Sequence, residues 1–436
     1  MNTGGGPQRE LTLLDSTSLI VGIIIGAGIY QMAPDLAKGA GSAWGVLGFW
    51  ALGGLLSLCG ALCYAELATA YPQAGGDYVY LSRAYGSWAG FLFGWAQLTI
   101  VRPGDIAVMA FAFATYAHAI WDPLQGTAFP HGQQAYALLA TVTLTCVNVL
   151  GVRAGKWTQN LLTGVKALGL IVIVAAAFLM KPKPVAVVPV ESIPLSLALI
   201  FVLFTYGGWN EMAYVAAEVK DPRRNIVRAL ALGTAAVTLL YLLVNGAFLH
   251  TLGYANLTAS KAVAADAVAP AMPHIGGIFI SALICVSALG AVNGLIFTGA
   301  RISYAVGADH RLLRVLGRWH PSWGTPAVAL VVQGTIAASL IVALGTFVNA
   351  ILYTAAIVYA FYLASTLAVV VLRWKEAVVE RPYRVWGYPW TPLLFAAVCL
   401  LLIRSAIIYR PWIAMSACGL LLLGLPFWWL SNRMKT

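Results

Sequence analysis

Long apolar runs separated by short charged connections make up nearly the whole chain. A run of about 18 or more apolar residues is long enough to cross a bilayer as a helix. Twelve such spans are found, at roughly 13–39, 43–71, 84–121, 134–151, 157–180, 194–219, 226–252, 273–306, 326–344, 347–373, 389–408 and 411–431. The pattern predicts an all-α integral membrane protein with twelve transmembrane helices.

Two spans carry glycine where a helix should be at mid-depth. The sixth, within FVLFTYGGWNEMAYVAAEVKDPRRNIVR (201–228), has Gly207 and Gly208 side by side. Two such glycines cost about 1 kcal/mol each relative to alanine and leave the backbone free to unwind. An unwound segment in hydrocarbon strands several N–H and C=O groups, so it persists only beside a water-filled or ligand-filled cavity. The first span repeats the feature with Gly22, Gly26, Ala27, Gly28 and Ile29. Alone, those glycines would read as a helix-packing face. Matched clusters in spans one and six instead predict two broken helices, one in each of two repeats of five spans. A repeat with an odd number of spans inserts upside down relative to its copy, which gives a five-plus-five inverted pair with its substrate site at the breaks. The expected division is a cytoplasmic N-terminus at 1–12, first repeat 13–180, second repeat 194–373, two accessory helices in 389–431 and a cytoplasmic tail at 432–436.

A broken helix presents unpaired amides at one half's N-terminus and unpaired carbonyls at the other half's C-terminus, with partial positive and negative charge respectively. Amides of Ala27, Gly28 and Ile29 would take a carboxylate. Carbonyls of Ile24 or Ile25, and of Phe204, Thr205 or Tyr206, would take an ammonium. A carboxylate and an ammonium one carbon apart describe an α-amino acid. Charged groups at membrane depth need their own reason. Lys166 sits too deep in the fifth span to snorkel easily. Glu66 reads as a structural partner for basic groups. Arg102 and Asp105, at i and i+3, read as a self-satisfied pair, although Asp105 could instead meet a basic substrate side chain, as could Glu211. Phe204 and Trp209 flank the second break and could close over a substrate.

Composition agrees with this reading: 61% of the 436 residues are hydrophobic and 9% charged, and the mean hydropathy is +0.83. The net charge of +11 is scattered through the connections instead of forming a nucleic-acid patch. With the N-terminus inside, the inner connections hold most of the Lys and Arg, from Arg83 to Arg384, whereas the outer ones hold only Lys38, Lys181, Lys183, Lys261 and Arg410. Both termini are therefore expected in the cytoplasm, with no cleavable signal peptide. Six cysteines lie inside apolar runs and read as small buried hydrophobes. No metal or cofactor is expected, because the six histidines are dispersed without ligand spacing. Neither a cluster of catalytic groups nor filter-like rings of charge appears, which disfavours an enzyme or a channel.

The stretches GIIIGAGIY (22–30), CYAELATAYPQAGGDYVYL (63–81), FTYGGWN (204–210) with EVKDPRRNIVRA (218–229), GAVNGLIFTGARISYAVG (290–307) and RPYRVWGYP (381–389) carry a resemblance over nearly the whole chain. The protein resembles the amino acid-polyamine-organocation superfamily, and within it the L-amino-acid transporter type of permease. The resemblance implies sodium-independent L-amino acid transport, commonly by exchange. It makes Gly26, Ala27 and Gly28 the carboxylate loop and Phe204 the gate. Gly207, Gly208 and Asn210 become the second broken segment, and Lys166 a lysine in the place of sodium, bridging the first and eighth spans. Animal members of that type carry an outer-loop cysteine that ties them to a single-span glycoprotein. The loop from Asp122 to Gln134 has none, so no disulfide-linked heavy chain is expected, and a prokaryotic permease of the cell (inner) membrane is. Ala27 stands where many relatives have serine. The expected function is exchange of neutral L-amino acids by alternating access, with proton-coupled symport, of cationic amino acids in particular, as the alternative.

Overall fold

The computed structural model describes residues 8–121, 132–180, 192–260, 262–269, 276–344, 347–409 and 411–433. Lys181, Lys183, Lys261, Arg410 and most of the cysteine-free 122–134 connection lie outside the described residues. Among the described residues no β-strand forms, and nine helices are long and apolar enough to cross a membrane. The first span, Gly132–Val149 and Ala327–Leu344 complete the twelve. Exposed apolar side chains such as Leu139, Leu161, Leu168, Leu239, Leu400 and Leu422 form a perimeter that would aggregate in water and suits hydrocarbon. All six cysteines are free. Cys146 and Cys418 are exposed, contrary to the expectation of burial, because their helices turn those faces outward to the apolar perimeter.

Both expected breaks are present. The first span opens on a capping box: Thr12 caps the helix by accepting from the Asp15 amide, and the Asp15 carboxylate accepts from the Thr12 amide at 2.9 Å and its hydroxyl at 2.8 Å. Leu13–Ile24 then stops, and the chain resumes as Gly28–Gln31 and Ala33–Ala40. The sixth span runs Leu195–Thr205, breaks over Tyr206, Gly207 and Gly208, and continues as a tight 3₁₀ helix, Trp209–Glu218. Gly208 has φ 108°, and a β-carbon there would fall 2.5 Å from Ile23 Cγ2. Only glycine allows both that backbone and that approach, so the two breaks pack directly against each other.

The third span departs from the single helix expected over 84–121. It is Ser87–Ala96, a π turn at Gln97–Val101, and Arg102–Ile120, preceded by a separate helix, Asp77–Tyr85. Pro103 supplies the reason for the π turn: it has no N–H to give and crowds the preceding turn, and the wider turn relieves the clash. The seventh span, Pro222–Ala259, is longer than expected and is kinked at Gly253.

Buried charge collects at the face that carries the basic connections. Glu66 accepts from Arg373 at 2.6 and 2.8 Å and from the Val385 amide at 2.6 Å, with Arg381 3.5 Å away, so it is the structural partner expected. Arg301 of the eighth span, Gly276–Asp309, clasps Glu218 at 2.7 and 3.1 Å, and both are almost wholly buried. Leu11 is tied to the far end of the sixth span by Leu11 N to Glu218 O (2.9 Å) and Lys220 N to Leu11 O (2.8 Å). Arg301→Met leaves Glu218 buried and uncompensated and is expected to destabilise the fold by about 3–5 kcal/mol. Adding Glu218→Gln should restore most of that loss in a detergent thermal-melt series.

Candidate functional site

The first break is held open by a cation. Lys166, in the helix Val152–Leu179, is completely buried, and its ammonium donates to the carbonyls of Gly22, of Ile25 at 2.8 Å and of Ser287 at 3.2 Å. Three donors meet three acceptors, so the charge is fully hydrogen-bonded. Two acceptors belong to the first span and the third to the eighth, the pair of spans that Lys166 was expected to bridge. The Ser287 hydroxyl adds bonds to Ile25 O at 2.9 Å and Gly26 O at 3.1 Å. A methyl at Gly290 would come within 2.8 Å of the Lys166 Nζ, so the eighth span must be bare there.

A second group joins the two breaks. The Tyr241 hydroxyl, on the seventh span, lies 2.8 Å from Ile24 O and 3.3 Å from Thr205 O. These bonds revise the expected ammonium acceptors. Both lone pairs of Ile25 O are taken by Lys166 and Ser287, and Ile24 O already accepts from Tyr241 and from the Gly26 amide at 2.7 Å. Phe204 O accepts from the Gly207 amide at 2.9 Å and, at the end of the helix, from the Tyr206 amide. On the other side of the first break, Ala27, Gly28 and Ile29 open a new helix and their amides have no backbone acceptor among the described residues.

Beside the breaks lies a chamber, the kind of largely apolar concave space in which small ligands are held. Its walls are Ile23; Asp105, Val108 and Met109; Leu203, Phe204, Gly207, Gly208 and Glu211; Ala291 and Leu295; and Thr354, Tyr359 and Tyr362. Phe204, Gly207, Gly208, Asp105 and Glu211, all singled out from sequence, therefore come together. Ile25, Gly26, Ala27, Gly28, Ile29, Thr205 and Tyr206 are not among the lining residues; a β-carbon on Gly26 would meet Met109 Sδ of the wall at 3.3 Å, and one on Gly28 would meet Thr205 Oγ1 at 3.0 Å. Trp209 points elsewhere. Its indole packs on Tyr64 (5.2 Å between ring centres), Tyr362 (5.2 Å) and Phe395 (5.6 Å), so it braces the second break against neighbouring spans and does not cover the chamber. Asn210 is likewise engaged, accepting from Tyr362 at 2.9 Å and donating to Tyr214 at 2.7 Å.

The charges in the wall pair differently from the i, i+3 expectation. Arg102 reaches Glu211 at 2.8 Å and Gln97 at 3.0 Å, because helical side chains lean toward the N-terminus and so away from Asp105. Thr298 donates to the other Glu211 oxygen at 2.6 Å. Glu211 is thus neutralised within the wall. Asp105, bonded to Thr354, keeps its carboxylate on the chamber. Ser287, Tyr241, Thr354 and Tyr362 were missed from sequence; a lone hydroxyl in an apolar span gives no sign of which way it faces. Tyr241→Phe removes the shared donor and is expected to cost about 1 kcal/mol, read by denaturation, with faster amide exchange at 24–26 and 205–208.

The chain is similar in sequence to known proteins over nearly its whole length. A family model described as amino acid permease matches residues 11–416. The chain is 32% identical over 449 residues to the large neutral amino acids transporter small subunit 2 of Homo sapiens, covering 98% of this chain and 81% of that protein. It is 31% identical over 452 residues to the Oryctolagus cuniculus protein of the same name, covering 98% and 82%. It is also 31% identical over 446 residues to the b(0,+)-type amino acid transporter 1 of Homo sapiens, covering 98% and 89%.

Proposed function

The chain belongs to the amino acid permease family, a family of multi-pass membrane transporters and not of enzymes, and on that premise we propose that it exchanges neutral L-amino acids without sodium, by alternating access. The observation that carries this reading is the pair of broken helices packed on one another beside a chamber. The free amides of Ala27, Gly28 and Ile29 take the substrate carboxylate, and carbonyls of the Phe204–Tyr206 segment take its ammonium. Phe204 closes over the substrate. Lys166 occupies the carbonyl cluster at which a sodium ion would otherwise sit, so no ion need be bound there. In this reading 13–180 and 194–373 are the inverted repeats, 389–431 the accessory pair, and 1–12 and 432–436 lie in the cytoplasm of a cell whose inner membrane holds the protein. It works without a disulfide-linked partner and without nucleic acid.

Uptake of labelled amino acids into proteoliposomes tests the proposal. Without sodium, label should enter only vesicles preloaded with unlabelled amino acid, and an acid-outside gradient should drive no net accumulation. Accumulation in empty vesicles under that gradient would make the protein a proton-coupled symporter instead. Gly28→Val, whose side chain would press on Thr205 and mask the amides, should lower amino acid affinity at least 100-fold in a folded protein. Normal binding by that variant would sink the carboxylate loop.

One observation favours a second reading, for cationic substrates: Asp105 is the carboxylate of the chamber wall that Arg102 leaves without a cation. If lysine or arginine is carried, Asp105→Asn should reduce its uptake about tenfold or more while sparing leucine. Equal effects on both substrates would leave the neutral reading.

A further inference from the structure

Away from the chamber wall, the basic face also buries a carboxylate that, unlike Glu66 and Glu218, has no basic partner among the described residues. Asp77 opens the Asp77–Tyr85 helix between the second and third spans and is fully buried. It is delivered by a glycine turn, Gly75 and Gly76, with φ 105° and 49°. A β-carbon on Gly76 would fall 2.6 Å from the Tyr214 ring, so the turn is seated directly on the lower half of the sixth span. Three hydroxyls from three spans converge on the carboxylate: Tyr64 of the second, Tyr214 of the sixth at 2.7 Å, and Ser365 of the tenth. Among the described residues no basic side chain pairs with it. Glu211 adds a like charge nearby. Arg102 stacks over the Tyr214 ring at 5.0 Å and is committed to Glu211.

Hydrogen bonds run unbroken from this cage to the chamber. Tyr362, in the chamber wall, donates to Asn210 at 2.9 Å; Asn210 donates to Tyr214 at 2.7 Å; Tyr214 donates to Asp77. Asp77 therefore pins together the parts that must separate if the basic face opens around a bound substrate. We propose, on the alternating-access reading above, that Asp77 is a proton-binding latch, protonated while the basic face is shut and ionised when that face opens, so that acid holds the carrier closed on that side.

The sign follows from burial. In the closed form desolvation pushes the Asp77 carboxyl up to about 6 from its ordinary 3.8, with the three hydroxyls pulling the other way. Opening admits water and returns it toward the ordinary value. The closed form thus holds the proton more tightly, and the stabilisation it gains is full in acid and lost as pH rises through about 6. Other titratable groups of the elements packed around it are Tyr80, Tyr85, Tyr78 with its partner Asp309 at 2.7 Å, Arg83 and Tyr71 on Glu376 at 3.1 and 2.9 Å, Glu66 paired with Arg373, Glu218 paired with Arg301, and His310, whose ring lies 6.3 Å from that of Tyr78. His310, an ionisable ring close to Tyr78, needs its own control.

The test uses full-length protein in proteoliposomes with equal pH on both sides, from 5 to 7.5. Exchange is followed together with deuterium uptake of the 77–85 segment, corrected for intrinsic rates and measured without substrate. Exchange should be about tenfold slower at pH 5 than at pH 7 with a midpoint near 6, and protection of 77–85 should fall over the same range. Asp77→Asn should be slow and protected at every pH. Ser365→Ala removes a hydroxyl that favours the ion, so its midpoint should move upward. His310→Gln should keep the wild-type profile. A flat wild-type protection profile, an Asp77→Asn protein that retains the wild-type profile, or a downward shift in Ser365→Ala would overturn the latch. Absence of exchange at all pH values would overturn the exchange reading alone, because the deuterium profile still decides the role of Asp77.

Discussion

Everything near the membrane centre depends on how the first break satisfies its backbone. Unwinding three residues in a dry interior leaves carbonyls pointing at nothing, at a cost of several kcal/mol each in hydrocarbon. Lys166 answers this with an ammonium whose three protons are spent on Gly22, Ile25 and Ser287. The arrangement is reciprocal. A buried lysine without acceptors would be as costly as the carbonyls without donors, and the negative end of the Leu13–Ile24 helix favours a cation at that spot. Tyr241 does the same with a neutral donor, and by touching Ile24 and Thr205 together it makes the two breaks one structural unit. Ile23 against Gly208 completes that unit sterically.

Outside this junction, buried charge is arranged to hold one face. Glu218 with Arg301, Glu66 with Arg373 and Arg381, and Asp15 with Lys156 at 3.3 Å all lie where the basic connections are. Each joins elements distant in sequence, and two of them join a broken span to one of its unbroken neighbours. Buried pairs add little net stability over apolar packing, yet they are unforgiving of mispairing. They therefore fix which surfaces meet and leave those surfaces separable once water is admitted. An apolar seal of the same area would close as well but would be harder to reopen.

The sequence displayed the spans and breaks clearly, because both are one-dimensional signals: apolar length, and glycine at mid-depth. Lys166 and Glu66 were visible for a related reason, since a charge inside an apolar run announces itself whatever its direction. Facing was not visible. Arg102 beside Asp105 suggested a local pair, yet the π turn and the backward lean of the side chain send Arg102 to Glu211 across the bundle. Trp209 next to the second break suggested a lid, but it turns to Tyr64 and Phe395. Asp77 was hidden most completely, in a polar connection where an aspartate is ordinary; only its burial among Tyr64, Tyr214 and Ser365 sets it apart. Spans of nearly uniform hydrophobicity carry no amphipathic stripe to say which side is inside, so contacts across the bundle had to come from the structure.

A tethered cation also limits what the carbonyl cluster can do. A sodium ion held by such carbonyls could leave on one side of the membrane and be replaced from the other, and that traffic would let an ion gradient drive the substrate. The Lys166 ammonium has the same charge and engages the same kind of acceptors, but its side chain is covalently held and cannot leave with the substrate. Its acceptors sit on two spans, the first and the eighth, so any rocking of one against the other must carry the ammonium along or break its bonds in a dry interior. Movement that keeps all three bonds moves the first break and the adjoining stretch of the eighth span together, as one body. The flexible joint must then lie farther out, and the Gly75–Gly76 turn and the end of the 3₁₀ helix at Val219 are places where the described backbone leaves helical geometry next to that body.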